Sequence, residues 1–532
     1  MKQRLSRGAF VLIACSAGVL GTVDCVGDDA ASSGAPNGNG NGDGGPGTPP
    51  AEGGGTDAMT ATDTSTVDSP MGCSGAPTTD FYVDSANGAD TNSGGGTGCA
   101  LKTITRALSA SATHYNATIH LAAGTYGAGE TLPLVVDHGR SLVGAGAATT
   151  TIQGSSAEFN TMSTGSRFDA KDAADSKYFL SILAGDVMGG PNNLGATTLS
   201  GFTLVPPTRI TMPTTNYYGI ACIAGNGPNT GTTPPLPPAN LVVKDLTVGP
   251  NFDFGISIGS SPTNASACNA SIITSRFLTA NVGVDTGACG AANPSTAWPS
   301  AQVGDGQGAD ANTFKGTAIG ILGEGCGSVQ SYAANHFVSG YRGIVAISNT
   351  AQYFEVTSNT FDGATAPKMG IGIHTNAGAV FAKLNDNVFT NISQSAEADT
   401  AAGTSGYAIN FGGAHILQAL RNSIHDNDNG LYLGSAVGTD FDFSGGANAV
   451  VNRNQFYCNS KVAGGNGYDV IVGYAGGVNT AKLTGNAWDN SPLTTGNLAS
   501  TNGTDVASAG GAIDTSSPQP AIAAACAAGR VK

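Results

Sequence analysis

The sequence predicts an all-β protein, a right-handed single-stranded parallel β-helix of about ten coils with an N-terminal capping helix. Three observations predict it: a short strand-like phrase that recurs along the chain, a glycine content of 79 in 532 residues, and a charged fraction of only 11%. Glycine disfavours helices by about 1 kcal/mol relative to alanine. Abundant small, uncharged residues suit short strands joined by frequent turns.

The phrase has two halves. One reads Asn-x-Phe or a close variant, as in Asn312-Thr313-Phe314, Asn335-His336-Phe337, Asn359-Thr360-Phe361, Asn387-Val388-Phe389, Asn422-Ser423-Ile424, Asn454-Gln455-Phe456 and Asn486-Ala487-Trp488. The other reads Gly-Ile-x-Ile, as in Gly255-Ile256-Ser257-Ile258, Gly370-Ile371-Gly372-Ile373 and Gly430-Leu431-Tyr432-Leu433. The apolar anchors recur at 23 to 44 residues, a period of stacked repeats. Each unit is too small to bury its own apolar face, so stacking turns Phe337, Phe361, Phe389 and Ile373 into one interior. The asparagines then sit at the corners, where their amides can bond coil to coil and their backbones tolerate the left-handed conformation. Propeller blades would carry longer strands with hairpin turns, and leucine-rich repeats would need leucines at fixed offsets that are missing here.

The chain ahead of the repeats reads as three segments. Residues 1–25 are a signal or lipoprotein-anchor region: Lys2, Arg4 and Arg7 precede an apolar run, and Leu12-Ile13-Ala14-Cys15 resembles a bacterial lipobox, which makes Cys15 the lipidation candidate. An ordinary signal peptide cleaved further along is the alternative. Residues 26–77 form a Gly/Pro/Ser/Thr linker with too few large apolar side chains to fold, and a coil of that length reaches roughly 40 Å. Residues 78–154 hold the cap and first coils, and 155–532 the β-helix body with loop insertions. No other stretch nears the roughly 20 apolar residues of a membrane span.

Residues 81–154 carry Phe81-Tyr82-Val83-Asp84, Asn87-Gly88-Ala89-Asp90-Thr91-Asn92, Lys102-Thr103-Ile104-Thr105-Arg106-Ala107-Leu108, Gly124-Thr125-Tyr126 and Leu142-Val143-Gly144. This series resembles the uncharacterised domain family that opens many proteins of the pectate-lyase-like superfamily. Its pattern runs YVD, GxDxNxG, KTIxxAL, GTY, LxG. The resemblance spans about 75 residues and implies the same fold, with relatives that include enzymes and non-enzymes alike. Where the family has Pro-Phe before Lys-Thr-Ile, this chain has Cys99-Ala100-Leu101, a departure expected from a local disulfide. From Lys102 to about Ala112, Ile104, Ala107 and Leu108 share one helical face, fit to plug the open end of the coils.

Chemistry is harder to find. The formal charge of −15 disfavours nucleic acid and repels polyanions unless a cation bridges them. Asp84, Asp90 and Asn92 either hold Ca²⁺, the one cofactor the sequence suggests, or build turns. Glu324, Arg342, Glu355, Lys368 and His374 fall on consecutive coils and are the catalytic candidates if they share one outer face; a solvated face is the alternative. Asp426 and Asp428 read as turn residues. The motifs of pectate lyases and polygalacturonases are absent. Trp298 and the insertion at 206–240 mark loops where function would reside. Ten cysteines without a CxxC pair point to disulfides in an exported chain, with Cys73–Cys99 and Cys458–Cys526 as candidate pairs among several connectivities.

The expected protein is therefore a cell-envelope or secreted monomer that binds carbohydrate or another surface polymer. Its expected partners are a polysaccharide or surface glycan and, through the anchor alone, an outer membrane or cell surface. A polysaccharide lyase or glycoside hydrolase, and a structural or adhesive display rod, are the alternatives.

Overall fold

The computed structural model describes residues between Cys73 and Arg530. It leaves out 155–175, 185–194, 207–215, 225–238, 261–267, 290–299, 307–310, 325–328, 348–351, 376–379, 396–404, 435–440, 460–466, 475–479, 499–504 and a few isolated positions. All described residues lie in one structural unit. Cys15, the linker before Cys73, Trp298 and most of the 206–240 insertion fall outside them.

Each coil contains a strand of one sheet, a corner, a two- or three-residue strand, a turn, and a strand of the second sheet. Val329–Ala333, His336–Phe337 and Gly340–Ile347 make one such coil; Gln352–Thr357, Thr360–Asp362 and Ile371–Thr375 make the next. Among the described residues, sheet A has 24 strands and sheet B has 13. Neighbouring coils pair in parallel, for example Phe337 with Phe361 and Ile344 with Ile373. This is the parallel β-helix predicted, in a stack deeper than ten coils. The undercount arose in the early coils, whose short sheet A strands, Gly124–Tyr126 and Thr150–Gln153, lack the Asn-x-Phe phrase.

The two halves of the phrase are packing partners. Phe277, Phe314, Phe337, Phe361 and Phe389 form one stack with ring centroids 4.6–4.9 Å apart. These rings lie over a file of glycines in sheet B. A Cβ added at Gly320 would sit 2.5 Å from Phe337, one at Gly343 2.6 Å from Phe361, and one at Gly372 2.8 Å from Phe389. Glycine in Gly-Ile-x-Ile therefore exists to admit the phenylalanine of the following coil.

At the corners, each asparagine amide donates to the next asparagine's Oδ1: Asn312 to Asn335 (3.0 Å), Asn335 to Asn359 (2.9 Å), Asn359 to Asn387 (3.0 Å), Asn387 to Asn422 (2.9 Å), Asn422 to Asn454 (2.8 Å) and Asn454 to Asn486 (3.1 Å). The ladder is as expected, but the left-handed residue is the one before the asparagine. Ala334, Ser358, Asp386 and Arg421 take φ of 54°, 58°, 59° and 55°. Asparagine is chosen for its amide, because Nδ2 and Oδ1 together satisfy buried backbone groups on both sides.

The helix α1 (Ile104–Ala110) buries Ile104, Ala107 and Leu108 among Phe81, Ile119, Leu134 and Leu142 of the first coils. Its free N–H groups are met by carboxylates. Glu130 accepts from the amides of Ile104 and Thr105 (2.8 Å each), and Asp90 from those of Lys102 and Thr103. The Arg140 guanidinium donates to the Leu108 carbonyl and to Ser111 Oγ at the other end. Acid at the N-terminus and base at the C-terminus complement the helix dipole.

Candidate functional site

In a sheet B strand, the residues after the glycine alternate between the interior and the outer face. Ile344, Ile373, Ile409 and Leu431 enter the core. The outward residues form two lines across successive strands, about 4.8 Å apart. In one, Val345 pairs with His374, His374 with Asn410, and Asn410 with Tyr432. In the other, Arg342 pairs with Ile371, Ile371 with Tyr407, and Tyr407 with Asn429.

This face changes character along the stack. On the earlier coils it is largely apolar: Phe254, Val282, Leu322 and Val345 form a buried cluster separate from the core, beside Asp285, whose Oδ2 accepts from Ser257 Oγ at 3.2 Å. On the later coils it carries a base, an imidazole, an amide and aromatic rings. Tyr407 and Tyr432 lie 5.4 Å apart at a tilt of 51°, against a small cluster of Tyr468, Ile471 and Ala507. Tyr432 lies across the next strand, where a Cβ at Gly473 would come within 2.7 Å of its hydroxyl.

His374 is nearly closed off from solvent, with 8% exposure. Burial, and secondarily the positive charge of Arg342, push its pKa down to about 3. The ring is therefore neutral at physiological pH, and its Nδ1 has no hydrogen-bond partner among the described residues. A neutral imidazole nitrogen can accept a proton or hydrogen bond from a hydroxyl, or donate one, according to tautomer.

The predicted catalytic group divides. Arg342 and His374 come together on sheet B, and the backbone of Glu324 lies in the same sheet, paired with Ile347. The side chain of Glu324 lies outside the described residues. Lys368 is exposed in the turn before Ile371–Thr375 rather than in a strand. Glu355 belongs to sheet A, where it pairs with Lys383 at 3.0 Å. Glu355 and His374 belong to one coil, in its sheet A and sheet B strands, so the candidates do not fall on consecutive coils of one face. Alternation placed His374 outward but could not reveal that its side chain is buried among its neighbours there. Asn410, Tyr407 and Tyr432 were missed, because their register with His374 and Ile371 exists only once the coils stack.

The suggested Ca²⁺ group is used for turns and caps. Asp84 Oδ1 accepts from the amides of Ala86 and Asn87 at 2.9 and 3.0 Å, and these bonds, the Asn87 ones foremost, hold the carboxyl below its ordinary pKa. Both Asp90 oxygens accept from Thr103, while the Asn92 amide donates to the Ala100 carbonyl. These oxygens are engaged by N–H and O–H donors of the loop itself, as in the turn alternative.

Acids do meet elsewhere. Asp469, Asp489 and Asp505, all buried, place carboxyl oxygens within 4.8 Å of one another. Burial, then the neighbouring acids, raises Asp469 well above the carboxylate range, and burial first also raises Asp489. Three such groups cannot all ionise together without a proton or cation between them. Asp469 stands in one coil and Asp489 and Asp505 in the next, so they become neighbours only on stacking and no linear motif announced them.

Disulfides join Cys73 to Cys99, Cys458 to Cys526, and Cys222 to Cys268. The last, fully buried, links a sheet B strand to the sheet A strand two coils further on and was not expected. Among the described residues, no helix is long and apolar enough to cross a membrane.

Fold and face together define a parallel β-helix protein with a mixed aromatic and polar patch on the outside of one sheet. The family described as a protein of unknown function (DUF1565) matches residues 86–282, overlapping the segment that carries the resemblance above. No curated protein sequence matches the chain. Among solved structures, the lacto-N-biosidase GH136 of Eubacterium ramulus is similar at 12% identity, over 83% of this chain and 68% of that one, with a TM-score of 0.39. The mannuronan C-5 epimerase AlgE4 A-module of Azotobacter vinelandii is similar at 12% identity, over 79% and 95%, with a TM-score of 0.35. Neither likeness transfers a reaction to this chain.

Proposed function

We propose that this is an exported β-helix protein that binds carbohydrate or a related surface polymer on the outer face of sheet B. The observation that carries the reading is the juxtaposition of Arg342, His374 and Asn410 with Tyr407 and Tyr432 on neighbouring strands. A pyranose offers an apolar C–H face and a rim of hydroxyls. Aromatic rings suit the first, and donor–acceptor side chains suit the second. The family resemblance over residues 81–154 supports the same class. Lipidation at Cys15, display at an outer membrane or cell surface, and a monomeric state belong to this proposal.

His374 supports a second reading, a polysaccharide lyase or glycoside hydrolase, because its buried Nδ1, without a hydrogen-bond partner among the described residues, can bond a substrate hydroxyl beside the Arg342 charge. The deciding experiment incubates the protein with polygalacturonate, alginate, xylan and a β-glucan, with and without Ca²⁺. Binding is read by retarded gel migration, and turnover by new reducing ends or unsaturated uronates. Retardation that is lost in Tyr432→Ala establishes binding, and turnover lost in His374→Ala promotes the enzyme. If neither appears, a structural or adhesive rod is what remains.

A further inference from the structure

The last described segment does not simply end the stack. Gln519 and Ile522 donate backbone N–H groups to the carbonyls of Asn486 and Trp488, at 2.9 and 2.7 Å, so the chain begins one further turn there. It then reverses along the corner of the coils. Cys526 is bonded to Cys458, one coil back from Trp488. The Ala527 amide donates to Asp426 Oδ1 at 2.8 Å, another coil back. Arg530 reaches furthest, with Nη1 donating to Asp428 Oδ1 at 2.6 Å and Nη2 to Ser393 Oγ at 3.2 Å. Residues 101 to 137 positions apart are thereby tied together.

Where this strap lands matters. The Arg530–Asp428 pair is only 10% exposed on each side. The other oxygen of Asp428 accepts from the Gln394 amide at 2.7 Å. Gly406, at φ +89°, packs against Gln394 and Asp428, where an added Cβ would sit 3.1 Å from the Gln394 nitrogen and 3.2 Å from the Asp428 Cβ. Gly406 donates to the Gly370 carbonyl at 2.6 Å and accepts from the Asn429 amide at 2.8 Å. Gly370, Gly406 and Asp428 are the residues at the entrances of Ile371–Thr375, Tyr407–Phe411 and Asn429–Leu433. Those three strands carry His374, Tyr407, Asn410 and Tyr432. An Asp426–Asp428 segment read from sequence as plain turn is thus the anchor of a long-range tie.

We propose that the C-terminal segment is a disulfide-locked strap in which Arg530, through Asp428, is a positioning residue for the strand entrances of the sheet B face. Its consequence for ligand rests on the carbohydrate reading; its consequence for order does not. Arg530 bridges two coils with two separate N–H groups. A lysine at 530 can restore the charge facing Asp428 but not both contacts. Removing the guanidinium leaves a buried carboxylate that no longer has its cation, which loosens the entrance locally.

The test uses the full chain and compares Arg530→Gln, Arg530→Lys and the double change Cys458→Ser with Cys526→Ser. Amide exchange is followed by mass spectrometry over 393–395, 406–411 and 429–433, with 353–362 of sheet A as the internal reference. The strap requires exchange in the three segments to rise about tenfold in Arg530→Gln and in the double variant, with a smaller rise in Arg530→Lys and none in the reference. Unchanged exchange in the three segments overturns it, and so does an equal rise in the reference, which would signal general destabilisation. Gel retardation on the same four polysaccharides is measured in parallel. Weaker retardation in Arg530→Gln supports the positioning role; full retardation despite faster exchange overturns that role. Should the wild-type protein bind none of the four, the carbohydrate reading is the one that fails, and exchange alone still decides the strap.

Discussion

At the scale of the residue, glycine and asparagine do most of the specifying. Gly343 shows why: its missing side chain admits Phe361, and a Cβ would also come within 2.6 Å of the Gly372 carbonyl oxygen. The carbonyl is backbone in a stacked coil and cannot move without disturbing its neighbours. We expect Gly343→Ala to lower stability by about 1–3 kcal/mol through overpacking. Gly98, whose Cβ would meet nothing within 4 Å, is the control; Gly98→Ala should fall within about 0.5 kcal/mol of wild type. Denaturant midpoints of both variants check this, and equal losses would refute the packing account. The asparagine amides act differently, each closing a network that would otherwise leave buried donors unmet.

Individual elements show how a rule legible in sequence acquires partners that are not. The pattern of α1 placed Ile104, Ala107 and Leu108 on one face, because a 3.6-residue period is local. Its N-terminal acceptor, Glu130, lies 26 residues beyond Ile104 and carried no cap signature. Burial raises the Glu130 carboxyl, while its bonds from Thr105 and Ile104 oppose the rise. Glu130→Ala leaves the amides of Ile104 and Thr105 without these acceptors and should cost about 1–3 kcal/mol. If the melting temperature is instead unchanged, water or Asp90 must replace the carboxylate. The sheet B strands repeat the lesson, since Gly-Ile-x-Ile identified their core residues but not what covers their outer face.

Over the whole molecule, stacking creates an electrostatic property that no single coil has. Asp469 and Asp489 are both raised, by burial first and by neighbouring acids after it. A carboxyl whose folded pKa exceeds the ordinary 3.8 binds its proton more tightly when folded. Its stabilising contribution is therefore complete below about pH 4 and is lost as pH rises through the raised folded value. The C-terminal coils should accordingly unfold at lower temperature at about pH 8 than at about pH 5, by this contribution, and Asp469→Asn should flatten that slope. A variant with the same pH slope as wild type would show that another group sets it. The strap and the Cys458–Cys526 bond act on these same last coils, so the measurement belongs in the oxidised full chain.

The sequence alone determined the architecture, the interior ladder and the helical cap. Each is written in local periodicity: alternation within a strand, an apolar anchor once per coil, an apolar stripe on a helix. Tertiary structure decided which outward residues meet. Coil lengths vary from 22 residues between Ile409 and Leu431 to 57 between Leu142 and Leu199, so counting along the chain cannot align Arg342, His374, Asn410 and Tyr432, exclude Glu355 from their face, or gather Asp469, Asp489 and Asp505. It also decided burial. Alternation says only which side of a sheet a side chain takes, whereas the neutrality of His374 depends on what lies over that side.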